Sequence, residues 1–244
     1  MAEWITGRNP VFEVLRAQRR QINHLWVALG VKEQGRLADI IQTARSQRSP
    51  IKYVKRSLLD EIDPHHQAVA LNVGGYPYSD LDSIIQFAHS RDEAIFVLLL
   101  DQLQDPQNLG TLLRTAEAFG VHGVILPLAH AASITPAVVN ASSGATEMLQ
   151  IAQHNIAQAM DRLKDVGGWM IGLEDSQQAQ TPQEIDLKGG IGLIIGNEAS
   201  GLRRLVRNKC DLLMRLPMQG QIDSLNAAVA GSIAVYLTHQ ARNK

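Results

Sequence analysis

The 244-residue chain has a single cysteine, Cys210, and only 5% aromatic residues. One cysteine excludes a disulfide framework and a cysteine-based zinc site, and it suits a reducing compartment, so we expect a cytoplasmic protein. The apolar runs, such as residues 94–100, are far too short to span a bilayer. Residues 1–10 have no cationic start followed by an apolar stretch. We therefore expect neither a signal peptide nor a membrane partner.

Several common functional motifs are also missing. The chain has no G-x-G-x-x-G fingerprint and no Walker loop, which excludes the standard dinucleotide and P-loop sites. The one histidine cluster, His65-His66, has no carboxylate partner at metal spacing, and we interpret it as a solvated turn. Cys210 has no obvious base beside it and is interpreted as a buried small hydrophobe. No metal site is expected.

Charge is divided unevenly along the chain, although the total is only -1. Residues 1–75 contain 11 Lys+Arg and 7 Asp+Glu, a net +4, whereas residues 76–244 contain 12 and 17, a net -5. This division favours a polyanion-binding unit attached to a catalytic body. Ordinary solvated faces explain the charge alone equally well. The candidate RNA contacts are basic residues of the first part: Arg8, Arg16, Arg19, Arg20 and Lys55.

Hydrophobic periodicity predicts two α/β units. The first has helices at 10–18, 35–45 and 57–62 and strands at 22–29, 51–54 and 68–73. A Gly- and Pro-containing linker at 74–79 leads to a helix at 80–89. We therefore predict an RNA-binding domain at 1–75, a linker and connecting helix at 76–92, and a catalytic domain at 93–244.

The second unit has nearly continuous apolar strands, which are typical of a buried parallel sheet. They are predicted at 94–100, 121–126, 147–151, 169–173, 192–195 and 212–216. Helices are predicted at 109–119, 136–140, 156–164, 201–207 and 225–240. Ligands of such sheets bind where strands end. Three polar loops leave predicted strand ends, and we expect the functional site there.

The first loop spans residues 101–114. Asn108 stands where a helix N-cap belongs, and Gly110 and Arg114 are four residues apart on one helix face. A guanidinium there can grip a phosphate in a fork. The structural alternative is that Asn108 only caps the helix and Arg114 only pairs with Glu117.

The second loop, at 192–202, places Asn197 and Glu198 between Gly196 and Gly201. Glu198 either stabilises a helix N-terminus or belongs to a loop whose backbone approaches a ligand.

The third loop, at 216–226, enters a helix through Ser224 as the predicted N-cap, with Asn226 in the first turn. The helix opens with small residues that leave room for a ligand: Ala227, Ala228, Ala230 and Gly231.

Together the loops resemble the three motifs of the SpoU (TrmH-like) RNA 2′-O-ribose methyltransferases, within the SPOUT superfamily. Residues 108–114 (Asn-Leu-Gly-Thr-Leu-Leu-Arg) resemble the first motif, residues 194–201 the second and residues 216–226 the third. The opening Ile-Thr-Gly-Arg-Asn-Pro-Val at 5–11 extends the resemblance over the full length. One departure is His66-Gln67-Ala68, where relatives often carry His-Gln-Gly.

The resemblance implies an α/β fold with a SPOUT-type parallel sheet and a deep trefoil knot, plus a small N-terminal α/β domain similar to ribosomal protein L30e. It implies S-adenosylmethionine (AdoMet) as cofactor and a homodimer formed through the C-terminal domain. By motif match, the cofactor lies against Gly196, Leu216 and Leu225, with Met218 and Gly220 in the same loop. The family's active-site positions fall on Asn108, Arg114, Glu198, Ser224 and Asn226.

The activity that this resemblance implies is methyl transfer from AdoMet to the 2′-hydroxyl of a guanosine ribose in 23S ribosomal RNA. A guanidinium holds its proton tightly. Arg114 must therefore either become unusually deprotonated beside the RNA phosphate or stabilise the forming alkoxide. Two alternatives stay open: an enzyme acting on transfer RNA, and a non-catalytic RNA-binding factor of ribosome assembly.

Overall fold

The computed structural model describes residues 2–129, 132–197, 200–221 and 224–243, and the chain forms two units. The first unit contains Met1–Pro77 and Ile134–Met148, and the second contains Tyr78–Ser133 and Leu149–Lys244. The predicted boundary at residue 75 lies close to Pro77. The predicted C-terminal domain, however, included Ile134–Met148, which the structure groups with the first unit. No helix in the described part of the chain is long and apolar enough to cross a bilayer.

The first unit is built on a four-stranded mixed sheet. Its strands are β1 (Glu3–Thr6), β2 (Ile22–Ala28), β3 (Ile51–Val54) and β4 (Val69–Val73), in the order β1-β4-β2-β3. Strand β4 is antiparallel to both neighbours, and β2 and β3 are parallel. Its first three helices are α1 (Arg8–Ala17), α2 (Arg36–Ser46) and α3 (Arg56–Asp60). Strand β1 was not predicted, because its burial does not alternate: Ile5 and Thr6 are buried side by side.

The second unit contains the predicted parallel sheet. Its strand order is β10-β8-β9-β5-β6-β7, and every pairing is parallel. The strands are β5 (Phe96–Leu100), β6 (Gly123–Leu126), β7 (Ile151–Gln153), β8 (Gly168–Leu173), β9 (Gly190–Ile195) and β10 (Leu212–Met214). The helices of this unit are α4 (Leu81–Ser90), α5 (Pro106–Ala118), α7 (Ile156–Asp165), α8 (Arg204–Lys209) and α9 (Ala227–Arg242), and α6 (Pro136–Ala141) belongs to the first unit.

The predicted strand at 147–151 is wrong. Ala145–Glu147 form a 3-10 turn, and β7 begins only at Ile151. The reason is an ion pair inside the first unit. The Glu147 carboxylate accepts from Nε of Arg20 at 3.1 Å and from its Nη2 at 2.7 Å. Neither side chain has any exposed surface. Buried charges persist only when they are paired, so this segment is fixed by its partner and not by strand pairing.

The structure also changes the interpretation of Arg20. We predicted it as an RNA contact, but its third guanidinium nitrogen, Nη1, donates to Glu3 at 3.1 Å, and the Tyr76 ring lies 4.9 Å from its Cζ. The Tyr76 hydroxyl in turn donates to the Thr146 carbonyl at 2.7 Å. A guanidinium enclosed in this way is not available to a phosphate. Arg20 is therefore a structural residue of the first unit.

Candidate functional site

The three loops meet at one edge of the parallel sheet of the second unit. Strands β5 and β9 are neighbours, with Leu100 opposite Ile195, so the loops that follow them start side by side. Asn197 Nδ2 donates to the carbonyl oxygen of Gln102 at 3.0 Å, which joins the second loop to the first. Asn226 Nδ2 donates to Asn108 Oδ1 at 3.1 Å, which joins the third loop to the first. Their convergence at the carboxyl edge of a parallel sheet is where a ligand site is expected.

The first loop ends earlier than predicted. Helix α5 begins at Pro106, and its N-cap is Asp105. The Asp105 carboxylate accepts from the backbone N–H of Gln107 at 3.3 Å and of Asn108 at 3.1 Å. Our prediction of Asn108 as the cap is therefore wrong. The Asp-Pro pair was the available signal, because proline favours the first helical position and aspartate the cap.

The third loop has a similar correction. The cap of α9 is Asn226, whose Oδ1 accepts from the backbone N–H of Ala228 at 2.9 Å and of Val229 at 3.2 Å. The predicted cap, Ser224, lies before the helix and is exposed. Asn226 therefore caps α9 with its oxygen and contacts Asn108 with its nitrogen. This arrangement fixes both amides relative to the two helices.

The second loop turns back on itself. Asn197 N–H donates to the Gly201 carbonyl at 3.1 Å, and Gly201 N–H donates to the Asn197 carbonyl at 2.9 Å. A Cβ on Gly196 would lie only 2.4 Å from the carbonyl carbon of Gly201. We expected glycine there because a ligand approaches the backbone, but the loop's own backbone is what requires it. Glu198, the predicted catalytic residue of this loop, lies outside the described residues.

An ion pair that the sequence analysis missed supports the same edge. Asp101 follows β5 directly and has no exposed surface. Its carboxylate accepts from Arg203 three times: from the backbone N–H at 3.0 Å, from Nε at 2.7 Å and from Nη2 at 2.6 Å. An aspartate immediately after a buried apolar run was a visible signal, because a buried carboxylate needs a partner. The pair ties the end of β5 to the start of α8.

A cavity of about 220 Å³ lies where the second and third loops meet. Of the predicted cofactor-binding residues, Gly196, Leu216, Met218 and Leu225 line it, whereas Gly220 is not among the described lining residues. Ser224 also lines it. The remaining apolar walls are residues at the strand ends and on α9: Leu173, Ile195, Met214, Ala227 and Ala230. Four polar residues and one glycine complete the lining: Glu174, Asp175, Asn197, Arg215 and Gly201.

The small residues of α9 divide into two groups. Ala227 and Ala230 line the cavity, as predicted for a ligand floor. Gly231 instead serves the packing of the helix, because a Cβ there would lie 2.3 Å from Cδ1 of Ile195 and 2.7 Å from Cδ2 of Leu112. Helix α9 thus lies directly against β9 and α5. The Oγ atoms of Thr115 and Ser232 are 2.9 Å apart across the same contact.

Arg114 lies on the exposed side of α5, the helix that begins beside Asn108 and packs against α9. The structure thus places the predicted catalytic residues Asn108, Arg114, Ser224 and Asn226 on the paired helices α5 and α9 and on the loop before α9.

The basic residues of the first unit differ in exposure. Arg16 and Lys55 are exposed, and Arg16 pairs with Glu13 at 2.7 Å. Arg8 and Arg19 are half-buried. The Arg8 Nε donates to the Gln67 carbonyl at 3.3 Å, and the Arg19 guanidinium donates to the carbonyls of Glu147 and Pro77, each at 3.3 Å. Arg16 and Lys55 are therefore the predicted RNA contacts that present their side chains most openly.

Comparison with known proteins gives two family matches. The model of the SpoU rRNA Methylase family matches residues 95–236. A model described as RNA 2′-O ribose methyltransferase substrate binding matches residues 4–79. YacO of Bacillus subtilis, a TrmH family protein assigned to tRNA or rRNA methylation, is 37% identical over 99% of this chain and 96% of its own length.

Solved structures show the same relationship. The SpoU methyltransferase AviRb from Streptomyces viridochromogenes, crystallised with AdoMet, has a TM-score of 0.82 and 25% identity, covering 99% of this chain and 91% of its own. The A. aeolicus TrmH/SpoU tRNA modifying enzyme has a TM-score of 0.56 and 23% identity, and the alignment covers 67% of this chain and 82% of that enzyme.

Proposed function

Because the chain belongs to the SpoU (TrmH) family of AdoMet-dependent RNA 2′-O-ribose methyltransferases, we propose that it methylates the 2′-hydroxyl of one guanosine ribose in 23S ribosomal RNA. The layout of a substrate-binding unit before the methyltransferase unit supports this choice, since it resembles that of the RlmB group of bacterial enzymes. The family model that matches the second unit is also named for rRNA. A tRNA modifying enzyme aligns with only 67% of this chain.

The observation that carries the proposal is the cavity at the junction of the loops. Its apolar walls suit an adenine ring, and its backbone and polar groups suit a ribose and an amino-acid tail. Its volume of about 220 Å³ is small for AdoMet, but the cavity is open to solvent, so a longer ligand can extend beyond it. Gly196, Leu216, Met218 and Leu225 are the residues that would hold AdoMet.

When bound, AdoMet supplies an activated methyl group, so the protein's task is to position the accepting hydroxyl and to help it lose a proton. Asn226 uses one amide N–H for Asn108 and keeps a second for a ribose or phosphate oxygen. Asn108 and Ser224 add polar groups at the same edge. Arg114, on the exposed side of α5, stabilises the forming alkoxide or accepts its proton beside the RNA phosphate. Glu198 would orient Arg114 or the neighbouring subunit's loop.

The proposal includes a homodimer formed through the second unit. On α9, Val229, Ile233 and Tyr236 recur every three or four residues and are 47%, 38% and 46% exposed. Three large apolar side chains on one exposed helix face are typical of an interface. The same family membership supports a deep trefoil knot in the second unit, an L30e-like first unit and work in the cytoplasm, all of which belong to the proposal.

A non-catalytic RNA-binding factor is the competing function, and it would need no AdoMet cavity. Calorimetry with AdoMet tests this directly. Ala230 lines the cavity from α9, so Ala230→Leu should fill it and weaken AdoMet binding at least tenfold. Ala241→Leu, on the same helix and outside the cavity lining, is the matched control and should bind like the unaltered protein. Absence of AdoMet binding by the unaltered protein would favour the binding factor.

Substrate choice needs a separate experiment. Purified protein is incubated with methyl-labelled AdoMet and either 23S rRNA or bulk tRNA, each taken from cells that lack the protein. Nucleoside analysis should show 2′-O-methylguanosine in 23S rRNA alone. Label in tRNA alone, or on a base, would contradict the proposal.

A further inference from the structure

The first unit contains a polar pocket that none of the roles above uses. It measures about 240 Å³ and lies between β1, α6 and the loop before β4. Its polar lining includes Thr6, Asn9, Asp63, His65, Asn140 and Ser143. It is smaller than the roughly 300–1,000 Å³ of pockets that take drug-sized molecules, so it suits a group about as large as one nucleobase.

Hydrogen bonds fix the orientation of the pocket's polar groups. The Thr6 hydroxyl donates to Asp63 Oδ2 over a short distance and accepts from Asn140 Nδ2 at 2.8 Å. Because the hydroxyl has only one proton, this direction requires the amide nitrogen of Asn140 to face Thr6. Asn140 Oδ1 is then left as a buried oxygen for which the described residues provide no donor. Because this oxygen has essentially no accessible surface, it is not an acceptor that a ligand in the pocket can reach.

The acceptor that the pocket offers to a ligand is the carboxylate of Asp63, which is half-buried. Burial opposes its ionisation. The hydrogen bonds from the Thr6 hydroxyl and the His65 backbone N–H, with smaller electrostatic contributions from the His65 and His66 rings, nevertheless bring the pKa of its carboxyl below the ordinary value. Its Oδ1 accepts from that His65 N–H at 2.8 Å. An ionised carboxylate accepts about four hydrogen bonds in all, so each oxygen keeps capacity for a ligand. The pocket therefore suits a ligand with adjacent N–H donors that can pair with the two oxygens of this carboxylate.

We propose that this pocket binds one unpaired guanine base of the substrate RNA. Guanine is the base whose Watson–Crick edge presents two adjacent donors, N1–H and N2–H₂. These two groups can donate one hydrogen bond to each oxygen of a carboxylate. Adenine and cytosine offer a single amino group, and uracil a single imide N–H. Unpaired bases in loops are the usual targets of sequence-specific RNA recognition. The proposal rests on the proposed function only in that the ligand is part of the RNA substrate.

Arg8 supports the assignment from beside the pocket. Its backbone N–H donates to Gln67 Oε1 at 3.0 Å, and its Nε donates to the Gln67 carbonyl at 3.3 Å. Gln67 itself lines the pocket. A guanidinium fixed at this position is suited to the phosphate that accompanies the base. The pocket thus gives a role to two sequence features that the catalytic site does not use: the Thr-Gly-Arg-Asn opening and the His-Gln-Ala loop.

The test is fluorescence anisotropy with the full-length protein and three labelled RNA nonamers. One has guanosine flanked by four uridines on each side, one has inosine in its place, and the third is all uridine. Inosine lacks the N2 amino group. The unaltered protein should bind the guanosine nonamer roughly tenfold more tightly than the uridine nonamer. The inosine nonamer should lose most of that preference, a result that needs no protein variant.

Two variants locate the preference. Asp63→Asn should lower the ratio of guanosine-nonamer to uridine-nonamer affinity to about one. It should do so even though the loss of a negative charge strengthens binding to both RNAs. Asp39→Asn, an exposed position on α2, removes the same charge and should keep the ratio. Thermal melting confirms that both variants are folded. A ratio near one in the unaltered protein, equal binding of inosine and guanosine, or an unchanged ratio in Asp63→Asn would overturn the proposal.

Failure here is distinguishable from failure of the proposed function. Methyl transfer to 23S rRNA without any guanine preference in the nonamers would reject the pocket and leave the enzyme. Guanine preference without AdoMet binding would reject the enzyme and leave the pocket.

Discussion

Asn226 gives the candidate site its geometry through a single side chain. Its oxygen caps α9 while its nitrogen donates to Asn108 in the first turn of α5. Because Asn226 makes both contacts, its side chain cannot change rotamer without uncapping α9. The Asn226–Asn108 pair is therefore in place before RNA binds. Asp101 and Arg203 do the same for the second loop. Catalytic precision at this site therefore depends on side chains that are themselves held.

In the proposed mechanism, Arg114 is the residue on which the chemistry depends most. Arg114→Ala should lower the methyl-transfer rate roughly 100-fold or more, the size of effect seen when one transition-state charge stabiliser is removed. AdoMet affinity by calorimetry should stay within about twofold, because Arg114 is not among the residues lining the cavity. Arg114→Lys is the sharper probe. A lysine ammonium keeps part of the charge stabilisation but cannot form the two parallel hydrogen bonds of a guanidinium.

The matched control is Arg204→Ala, an exposed arginine on α8, which should retain activity. Near-wild-type methylation by Arg114→Ala would rule out both roles proposed for Arg114.

Cys210 is half-buried, not fully buried as predicted, and it provides a residue-scale test of burial. Burial raises the pKa of its thiol to about 12. At pH 8 the thiolate, which is the reactive form, should therefore be scarcer by roughly a thousandfold than for an ordinary thiol with a pKa near 8.5. A coloured aromatic disulfide should label the folded protein very slowly and the urea-unfolded protein at once. Rapid stoichiometric labelling of the folded protein would contradict the assignment of Cys210 as a packed, inert side chain.

At the scale of elements, the first unit depends on a segment distant in sequence. Ile134–Met148 reaches the strands of this unit through the buried pair of Arg20 and Glu147. Removal of one partner leaves the other charge buried and uncompensated, whereas removal of both leaves an apolar contact. The energetic role of the pair is therefore visible only when single and double variants are compared.

Arg20→Met should destabilise the first unit by about 3–5 kcal/mol. The double variant Arg20→Met with Glu147→Met should recover a large part of that loss. The measurement is urea unfolding followed by tryptophan fluorescence, with Trp4 and Trp26 in this unit. Arg16→Met removes an ion pair in which Arg16 is exposed and Glu13 half-buried, and it should cost no more than about 1 kcal/mol. A single variant as stable as the Arg16→Met control would show that the Arg20 pair contributes nothing.

Elements whose burial pattern is local could be predicted from the sequence. The six parallel strands of the second unit are nearly continuous apolar runs, and five of the six predictions overlap the observed strands well. The strand at 147–151 failed because Glu147 is buried by Arg20, which lies 127 residues away in sequence. The predicted helix caps, Asn108 and Ser224, were wrong by a few residues, because several polar residues lie near the start of each helix. Only the structure shows which of them accepts the backbone N–H groups.

The candidate site was predictable in its parts but not in its connections. The three loops were identified because polar residues followed apolar strands. Their direct contacts, Asn226 with Asn108 and Asn197 with Gln102, depend on strand order. Strand β9 pairs with β5, although 90 residues separate Leu100 and Gly190 in the sequence. Periodicity carries no information about that order.

At the scale of the whole molecule, each unit has one proposed task. In the proposal, the second unit binds AdoMet and carries the catalytic residues, and the first unit binds RNA through its basic residues and the guanine pocket. One family model matches residues 4–79 of the first unit, and the other matches residues 95–236, which are mostly in the second unit but include Ile134–Met148 of the first. The proposal also includes a second copy of the chain, which would cover the apolar stripe on α9 that is exposed to water in one copy.

The oligomeric state tests that requirement. Ile233 is the middle residue of the stripe, and Ile233→Asp should convert the dimer to a monomer in sedimentation-velocity ultracentrifugation, because it buries an unpaired charge at the interface. Leu205→Asp makes the same change at another exposed apolar residue, on α8, and should stay dimeric. A monomeric unaltered protein, or a stable dimer of Ile233→Asp, would refute the proposed interface.

The central claim is that this chain places a 2′-O-methyl group on one guanosine of 23S rRNA. It is tested most directly by mapping 2′-O-methyl groups across ribosomal RNA from cells that lack the protein and from cells that regain it. Return of the unaltered protein should restore a single 2′-O-methylguanosine in 23S rRNA, and return of Arg114→Ala should not. An rRNA methylation map that is identical with and without the protein would contradict the account.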